Sequence, residues 1–146
     1  MNANERKSRI PVLMSSRDGG CQCGRVRYRF DGEPLGLAVC HCTECQKQSG
    51  SAFGMSLAVA SASFRLIAGE LKTFTVLCDS GRTKHCSFCA DCGTRIHHRT
   101  DDAFLSIKAG TLDDTSWLSP DAHYWTKRKQ PWVQIADGVS CFSDDG

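Results

Sequence analysis

The residues best suited to chemistry are the cysteines, of which the chain has ten in 146 residues. Seven fall into three short clusters: Cys21 and Cys23; Cys40, Cys42 and Cys45; Cys89 and Cys92. Zinc binds thiolate at about 2.3 Å in a tetrahedron, so the sulfurs of one site must lie within about 4 Å of one another. A Cys-x-x-Cys turn achieves this by wrapping the metal, and an extended Cys-x-Cys places both side chains on one face. The clusters therefore predict metal binding.

The N-terminal residues help to decide between metal ligands and disulfides. A secretory signal needs an apolar run of about 7–15 residues, and the first twenty residues offer only the short stretch 10–14. No segment approaches the roughly 20 apolar residues of a membrane span. We therefore expect a cytoplasmic protein without a membrane partner, in which thiols stay reduced and clustered cysteines bind metal.

The first and third clusters resemble each other. Gly24 and Gly93 each follow the last cysteine of a pair, where a turn around a metal often needs a positive φ. Together the two pairs supply four thiolates, Cys21, Cys23, Cys89 and Cys92, which make a closed structural zinc site. Such a site would join the start of the domain to its later half.

The middle cluster has three thiolates and no following glycine. Three protein ligands leave one zinc position open for water or substrate, as in catalytic sites, so two zinc ions per chain are expected. The alternative is that a fourth protein ligand closes this site. Candidates for that ligand are Cys86 first and then His41, Cys78, His85 and His123. In an extended Cys-x-Cys, His41 points away from the metal, which favours a packed or surface histidine.

The elements that position these clusters are predicted to be short strands. Residues 17–135 form one domain, with a loose N-terminal arm at 1–16 and a C-terminal tail at 136–146. Alternation and turn residues predict a mainly β fold with strands at 25–30, 53–60, 72–77, 94–98, 104–108, 123–125 and 132–135. Only residues 43–48 and 113–118 are predicted to form helical turns.

Three ordered motifs carry a resemblance to a known family. They are GCQCGRVRY at 20–28, CHCTEC at 40–45 leading to SGS at 49–51, and FCADCGT at 88–94; GTLDD at 110–114 and KQPW at 129–132 also fit. Over residues 17–133 the chain resembles the glutathione-dependent formaldehyde-activating enzyme family, also called the centromere protein V-like family.

The resemblance implies an Mss4-like fold of short antiparallel strands with two zinc ions per chain. It implies structural ligands at Cys21, Cys23, Cys89 and Cys92, and catalytic zinc ligands at Cys40, Cys42 and Cys45. The implied activity is that of a carbon–sulfur lyase, which reversibly joins glutathione to formaldehyde. Another small aldehyde is also possible, because a family does not fix its substrate. Cations for the glutathione carboxylates are offered by Lys47, Arg82, Lys84 and Arg95.

Two other interpretations remain. A non-catalytic zinc module binding nucleic acid or a protein partner is suggested by Lys127, Arg128 and Lys129 between Trp125 and Trp132, although the net charge of only +2 argues against nucleic acid. A redox enzyme would use a free cysteine, Cys78 or Cys141, as its nucleophile. These two isolated cysteines are otherwise expected to be small buried side chains.

Overall fold

Short β-strands account for most of the structure, a computed structural model that describes residues 15–78 and 81–146. Within these residues the strands are β1 (Ser16–Gly20), β2 (Arg27–Asp31), β3 (Gly36–Cys40), β4 (Gly54–Ala60), β5 (Phe64–Ala68), β6 (Leu71–Leu77), β7 (Thr83–Cys89), β8 (Arg95–Arg99), β9 (Phe104–Lys108), β10 (Ala122–Tyr124) and β11 (Ser140–Cys141). The α-helix α1 covers Thr43–Ser49, and short 3-10 turns cover Ser61–Ser63, Ala109–Thr111 and Thr126–Arg128. The predicted mainly β fold is confirmed.

The strands form two sheets. One has three strands in the order β1-β2-β5, and the other has eight in the order β11-β10-β3-β4-β9-β8-β7-β6. Strand β10 lies parallel to β3 and β11, and the other neighbours are antiparallel. Cys40, the last residue of β3, pairs with Gly54 of β4 on one side and with Tyr124 of β10 on the other. The start of the middle cysteine cluster is therefore held inside the larger sheet.

The hydrophobic core joins the two sheets and follows from alternation along the strands. On β9, Leu105 and Ile107 are buried in the core, whereas Phe104 is exposed. From the smaller sheet, the ring of Tyr28 stacks on Phe64 with centroids 5.3 Å apart. The same cluster contains Val26, Phe30, Leu57, Val59 and Ile96. Each large apolar side chain buried here stabilises the fold by roughly 1.5–3 kcal/mol, more than an exposed ion pair contributes.

Six of the seven predicted strands and the helical turn at 43–48 are confirmed to within about two residues. The strand predicted at 132–135 is wrong. The Val133 N–H donates to the carbonyl of Gln130, and the Val133 carbonyl accepts from the Lys129 ammonium at 2.7 Å. Because these local bonds satisfy the backbone groups that a sheet would use, the segment forms a turn.

The helical turn predicted at 113–118 is also wrong. The Asp114 carboxylate accepts hydrogen bonds from the backbone N–H of Ser116 at 2.9 Å and from its hydroxyl at 2.6 Å. Aspartate that bonds to the backbone two residues later favours a turn over a helix. Five strands were not predicted, namely β1, β3, β5, β7 and β11.

The proposed arm and tail flank the domain. Residues 1–14 of the arm lie outside the described residues, and β1 begins at Ser16. In the segment 136–146, β11 pairs with β10 and Phe142 stacks on Tyr124 with centroids 5.0 Å apart. The division into arm, domain and tail stays a prediction. In the described part of the chain, no helix is long and apolar enough to cross a membrane.

Gly69, between β5 and β6, allows close contact with the backbone that follows the first cluster. Its φ is +87°, and a Cβ would lie 2.5 Å from the carbonyl oxygen of Arg25. Gly69→Ala should therefore lower the free energy of unfolding by about 2–4 kcal/mol, through left-handed strain and a backbone clash. Urea denaturation would measure this change. The matched control is Gly32→Ala, with φ +77° and open space around it; it should lose only about 1–2 kcal/mol. Equal losses in both variants would show that the clash is unimportant.

Candidate functional site

The structure brings together the first and third cysteine clusters. Cys21 and Cys23 lie in the turn between β1 and β2, and Cys89 and Cys92 lie at the turn between β7 and β8. The four sulfurs lie within 4.8 Å of one another, with 3.4 Å between Cys21 and Cys23 and 3.9 Å between Cys23 and Cys89. A tetrahedral zinc with bonds of about 2.3 Å requires sulfurs about 3.8 Å apart. The four thiols therefore fit a zinc ion.

The backbone of both turns is arranged around the sulfurs. Gly24 and Gly93, which follow the two pairs, have φ values of +82° and +81°, as the sequence predicts. The Cys21 sulfur accepts a hydrogen bond from the Val26 N–H at 3.2 Å, and the Cys89 sulfur accepts from the N–H groups of Asp91 and Cys92 at 3.3 and 3.4 Å. Such bonds stabilise thiolates, the form that binds metal.

Thr94 connects the two turns. Its hydroxyl lies 3.2 Å from the Cys92 sulfur and accepts a hydrogen bond from the Gln22 N–H at 3.1 Å. The hydrogen bond from Thr94 lowers the pKa of the Cys92 thiol to about 5. Thr94 was not among the residues selected from the sequence, although its place directly after the second glycine offers a signal.

The middle cluster is also assembled in the structure. Cys40 ends β3, Cys42 is the N-cap of α1 and Cys45 lies in the first turn of that helix. Their sulfurs lie within 4.8 Å of one another, and the Cys42 sulfur accepts a hydrogen bond from the Cys45 N–H at 3.3 Å. Hydrogen bonding to Cys40 lowers the pKa of Cys45 to about 6, and hydrogen bonding to Cys45 raises the pKa of Cys40. The ionisation of each of these thiols therefore depends on its neighbours in the cluster.

Within the described residues, no fourth cysteine, histidine or carboxylate ligand lies that close to all three sulfurs. Cys86, the first candidate for closing the site, is buried on β7, which β4, β9 and β8 separate from β3. His85 is exposed on the same strand, and Cys78 is half-buried near its start. Three thiolates that leave a position for an added ligand fit an open zinc site.

His41 is a packed residue, in agreement with its predicted orientation. It is fully buried, and its Nε2 lies 2.9 Å from Nδ1 of His123 while the two rings stack with centroids 5.2 Å apart. The backbone N–H of His41 also donates to the carbonyl of Tyr124 at 3.0 Å. The segment between Cys40 and Cys42 is thus attached to β10. His41 and His123 contribute to the site by holding this segment in place.

An open cavity of about 380 Å³ lies between the C-terminal end of α1, the start of β4 and the turn that carries Gly93 and Thr94, and the cysteines of the middle cluster do not line it. Its lining includes Gln48, Ser49, Ser51, Phe53, Gly54, Met55, Gly93, Thr94, Arg95, Lys108 and Gly110. A Cβ on Gly54 would lie 3.2 Å from Cβ of Cys45, so this glycine allows the helix to approach the sheet. Lys108 is 9% exposed, and burial lowers the pKa of its ammonium to about 8.

Lys108 was not among the candidate residues selected from the sequence. Alternation on β9 indicated where this lysine lies. Leu105 and Ile107 face the core, so the side chain of Lys108 is on the opposite face of the strand. Of the four cations proposed for the substrate, Arg95 lines the cavity, whereas Lys47 is exposed on α1 and lines a different groove. Arg82 is exposed, and Lys84 is half-buried on β7.

The residues predicted for the two other interpretations, the basic run at 127–129 and Cys141, do not form one site. Lys127 and Arg128 are exposed, but the ammonium of Lys129 donates to the carbonyls of Gln130 and Val133 and so holds the local turn. Cys141 is exposed, which makes its predicted burial wrong, because it lies on β11 at the edge of the larger sheet.

Fold and site together define a mainly β protein with two cysteine clusters, one of four sulfurs and one of three, that have metal-ligand geometry. Residues 16–128 match the sequence model of the glutathione-dependent formaldehyde-activating enzyme family, and the chain belongs to this family. A crystal structure of a Rhodobacter sphaeroides protein shares the fold, with a TM-score of 0.53 and 18% identity, covering 86% of this chain and 98% of that chain. No functionally curated protein matches the chain.

The short distance between Gly54 and Cys45 allows the middle cluster to be tested by substitution. In Gly54→Ala the new methyl group would meet Gln48 Nε2 at 3.0 Å as well as Cys45, and α1 would have to shift. We expect the metal affinity of this cluster to fall about tenfold, because its supporting contacts orient the ligands. Competition with a chelator, followed as metal retained per chain, would measure the loss.

A matched control lines the same cavity. A Cβ at Gly110 would meet nothing closer than Met55 Cε at 4.0 Å, so Gly110→Ala should retain wild-type affinity at both clusters. The four-sulfur cluster should be unaffected in either variant. Unchanged metal retention in Gly54→Ala would contradict the proposed role of this contact.

Proposed function

We propose that the chain is a zinc-dependent carbon–sulfur lyase that reversibly adds a thiol such as glutathione to formaldehyde or another small aldehyde. The observation that supports this most directly is the three-sulfur cluster, which has no fourth protein ligand among the described residues. Membership of the family supports glutathione and formaldehyde as the substrates. Its location in the cytoplasm, predicted from the sequence, is part of the proposal.

The two clusters are proposed to hold one zinc ion each. Cys21, Cys23, Cys89 and Cys92 would form a closed structural site, since four thiolates leave no position for substrate. Cys40, Cys42 and Cys45 would hold the second ion. When bound there, zinc supplies a positive charge and a free position that favour the thiolate form of a substrate thiol.

The protein groups around the middle cluster suit this role. Three thiolates give a divalent ion a net charge of about −1, which weakens the activation of water compared with neutral histidine ligands. The Lys108 ammonium interacts favourably with the charge on Cys45 and partly offsets it. The His41–His123 contact and the N-cap bond at Cys42 orient the ligands before substrate arrives.

The reaction itself is balanced without an oxidant or reductant. The thiol loses its proton, and the sulfur forms a bond to the carbonyl carbon of the aldehyde. The electron pair of the C=O π bond moves to oxygen, which takes up a proton to give the hemithioacetal. The reverse reaction breaks the same carbon–sulfur bond.

The proposal is tested by removing one ligand of the middle cluster. In Cys42→Ser we expect zinc per chain to fall from two to about one, because two sulfurs hold the ion poorly. Exchange between free glutathione, formaldehyde and their hemithioacetal, followed by NMR exchange spectroscopy, should return to the uncatalysed rate. The fold should persist, since the four-sulfur cluster is intact.

Cys141→Ser is the matched control, because Cys141 is exposed and belongs to neither cluster. It should keep two zinc ions and full exchange activity, and loss of activity here would favour the redox alternative. Wild-type protein that carries two zinc ions but never accelerates exchange would rule out the lyase function. One zinc ion in both wild type and Cys42→Ser would instead indicate a structural zinc module.

A further inference from the structure

A chain of three side chains connects the protein surface with the backbone between two cysteines of the middle cluster. The indole N–H of Trp132 donates to Oε1 of Gln130 at 2.8 Å, and Nε2 of Gln130 donates to Oε1 of Gln46 at 3.1 Å. Nε2 of Gln46 donates in turn to the backbone carbonyls of His41 at 2.8 Å and of Arg128 at 3.0 Å. The carboxamide of Gln46 therefore joins two backbone segments that are distant in sequence.

The chemistry at the two ends fixes the orientation of both carboxamides. An indole N–H can only donate, so the side-chain oxygen of Gln130 must face Trp132. Backbone carbonyls can only accept, so the side-chain nitrogen of Gln46 must face them. The oxygen of Gln46 and the nitrogen of Gln130 then meet as acceptor and donor. All four hydrogen bonds can therefore form together in only one arrangement of the two side chains.

Gln46 is attached to the middle cluster in three ways. It directly follows Cys45 in α1. Its backbone N–H donates to the carbonyl of Cys42 at 3.0 Å. Its side chain holds the carbonyl of His41, the residue between Cys40 and Cys42. Gln46 therefore contacts the backbone that carries each of the three sulfurs.

The second carbonyl held by Gln46 belongs to a segment that is itself fixed. Arg128 ends a short 3-10 turn, and the residue that precedes this turn, Trp125, has a φ of +56°. The N–H of Trp125 donates to the carbonyl of Asp144 at 3.0 Å. A non-glycine residue keeps such a conformation only where the surrounding contacts determine it. The carbonyl of Arg128 is therefore a firm support for the Gln46 carboxamide.

We propose that Gln46 is a positioning residue for the middle cluster, and that Gln130 and Trp132 set the orientation of its carboxamide. The inference rests on the proposed function in taking this cluster as a metal site. Residues that orient metal ligands typically change metal affinity by about 10–100-fold when they are replaced. Because Gln46 donates to carbonyls, it acts through the backbone of the ligands.

Replacing the carboxamide by a side chain without donors tests this role. In Gln46→Met, of similar length, the zinc affinity of the middle cluster should fall about tenfold, measured by chelator competition as metal retained per chain. The visible spectrum of the cobalt(II)-loaded protein, which reports ligand geometry, should change as well. The matched control is Gln48→Met, the same substitution in the same helix at a residue that makes none of these bonds. It should keep the wild-type affinity and spectrum.

A second variant tests the orientation of the carboxamide separately from its packing. Gln130→Glu keeps the size of the side chain but removes the donor to Gln46. The Gln46 nitrogen should then turn toward the new carboxylate and away from His41, so the loss of zinc affinity should resemble that of Gln46→Met. Wild-type affinity in Gln130→Glu would overturn the role of Gln130 and Trp132.

The other outcomes separate the positioning role from the proposed function. Wild-type affinity and spectrum in Gln46→Met, or an equal loss in Gln48→Met, would overturn the positioning role and leave the lyase proposal intact. A wild-type protein that holds no metal at its middle cluster would overturn both. Metal retained by the four-sulfur cluster shows that each variant is folded.

Discussion

Four cysteine sulfurs from two turns, one in each sheet, share a space only a few ångströms across. Thiolates at this distance repel one another strongly unless a cation lies between them. The sulfurs are held together by the N–H groups that point at Cys21 and Cys89 and by Thr94 between the turns, and a bound cation would relieve their repulsion. Because one turn precedes β2 and the other precedes β8, this interaction also sets how the two sheets face each other across the core.

The middle cluster depends on different contacts. Its three cysteines are close together in sequence. The tertiary structure therefore does not have to bring them together and only holds them in place. The parallel strand β10 binds the backbone of His41 and packs His123 against its ring, while Gly54 allows α1 to lie close to β4. Gly54 also lines the cavity, together with Arg95 and Lys108. The four-sulfur cluster thus joins the two sheets, whereas the three-sulfur cluster lies at the end of β3 within the larger sheet.

The sequence allowed a good prediction of the cysteine groups and of the fold class, because metal-ligand spacing is local and strand alternation is strong. It did not reveal the contact of His41 with His123, since parallel pairing of β3 with β10 joins residues 82 positions apart. Lys108 was missed because a lysine at the end of an apolar strand resembles any exposed residue. The segment 132–135 has apolar residues typical of a strand, but Lys129 and Gln130 use its backbone in a turn. These differences all come from long-range pairing or from competing side-chain bonds.

The contrast in sequence separation also bears on when each set of thiols is complete during synthesis. The middle cluster is complete once residue 45 has been made, whereas the four-sulfur cluster needs residue 92 and the closure of a segment of 66 residues between Cys23 and Cys89. Closing that segment costs about 2 kcal/mol more chain entropy than closing one of five residues. A nascent chain therefore presents its three adjacent thiols while most strands of the larger sheet have not yet been made. The four thiols that join the two sheets become available together only later, once both turns have been made.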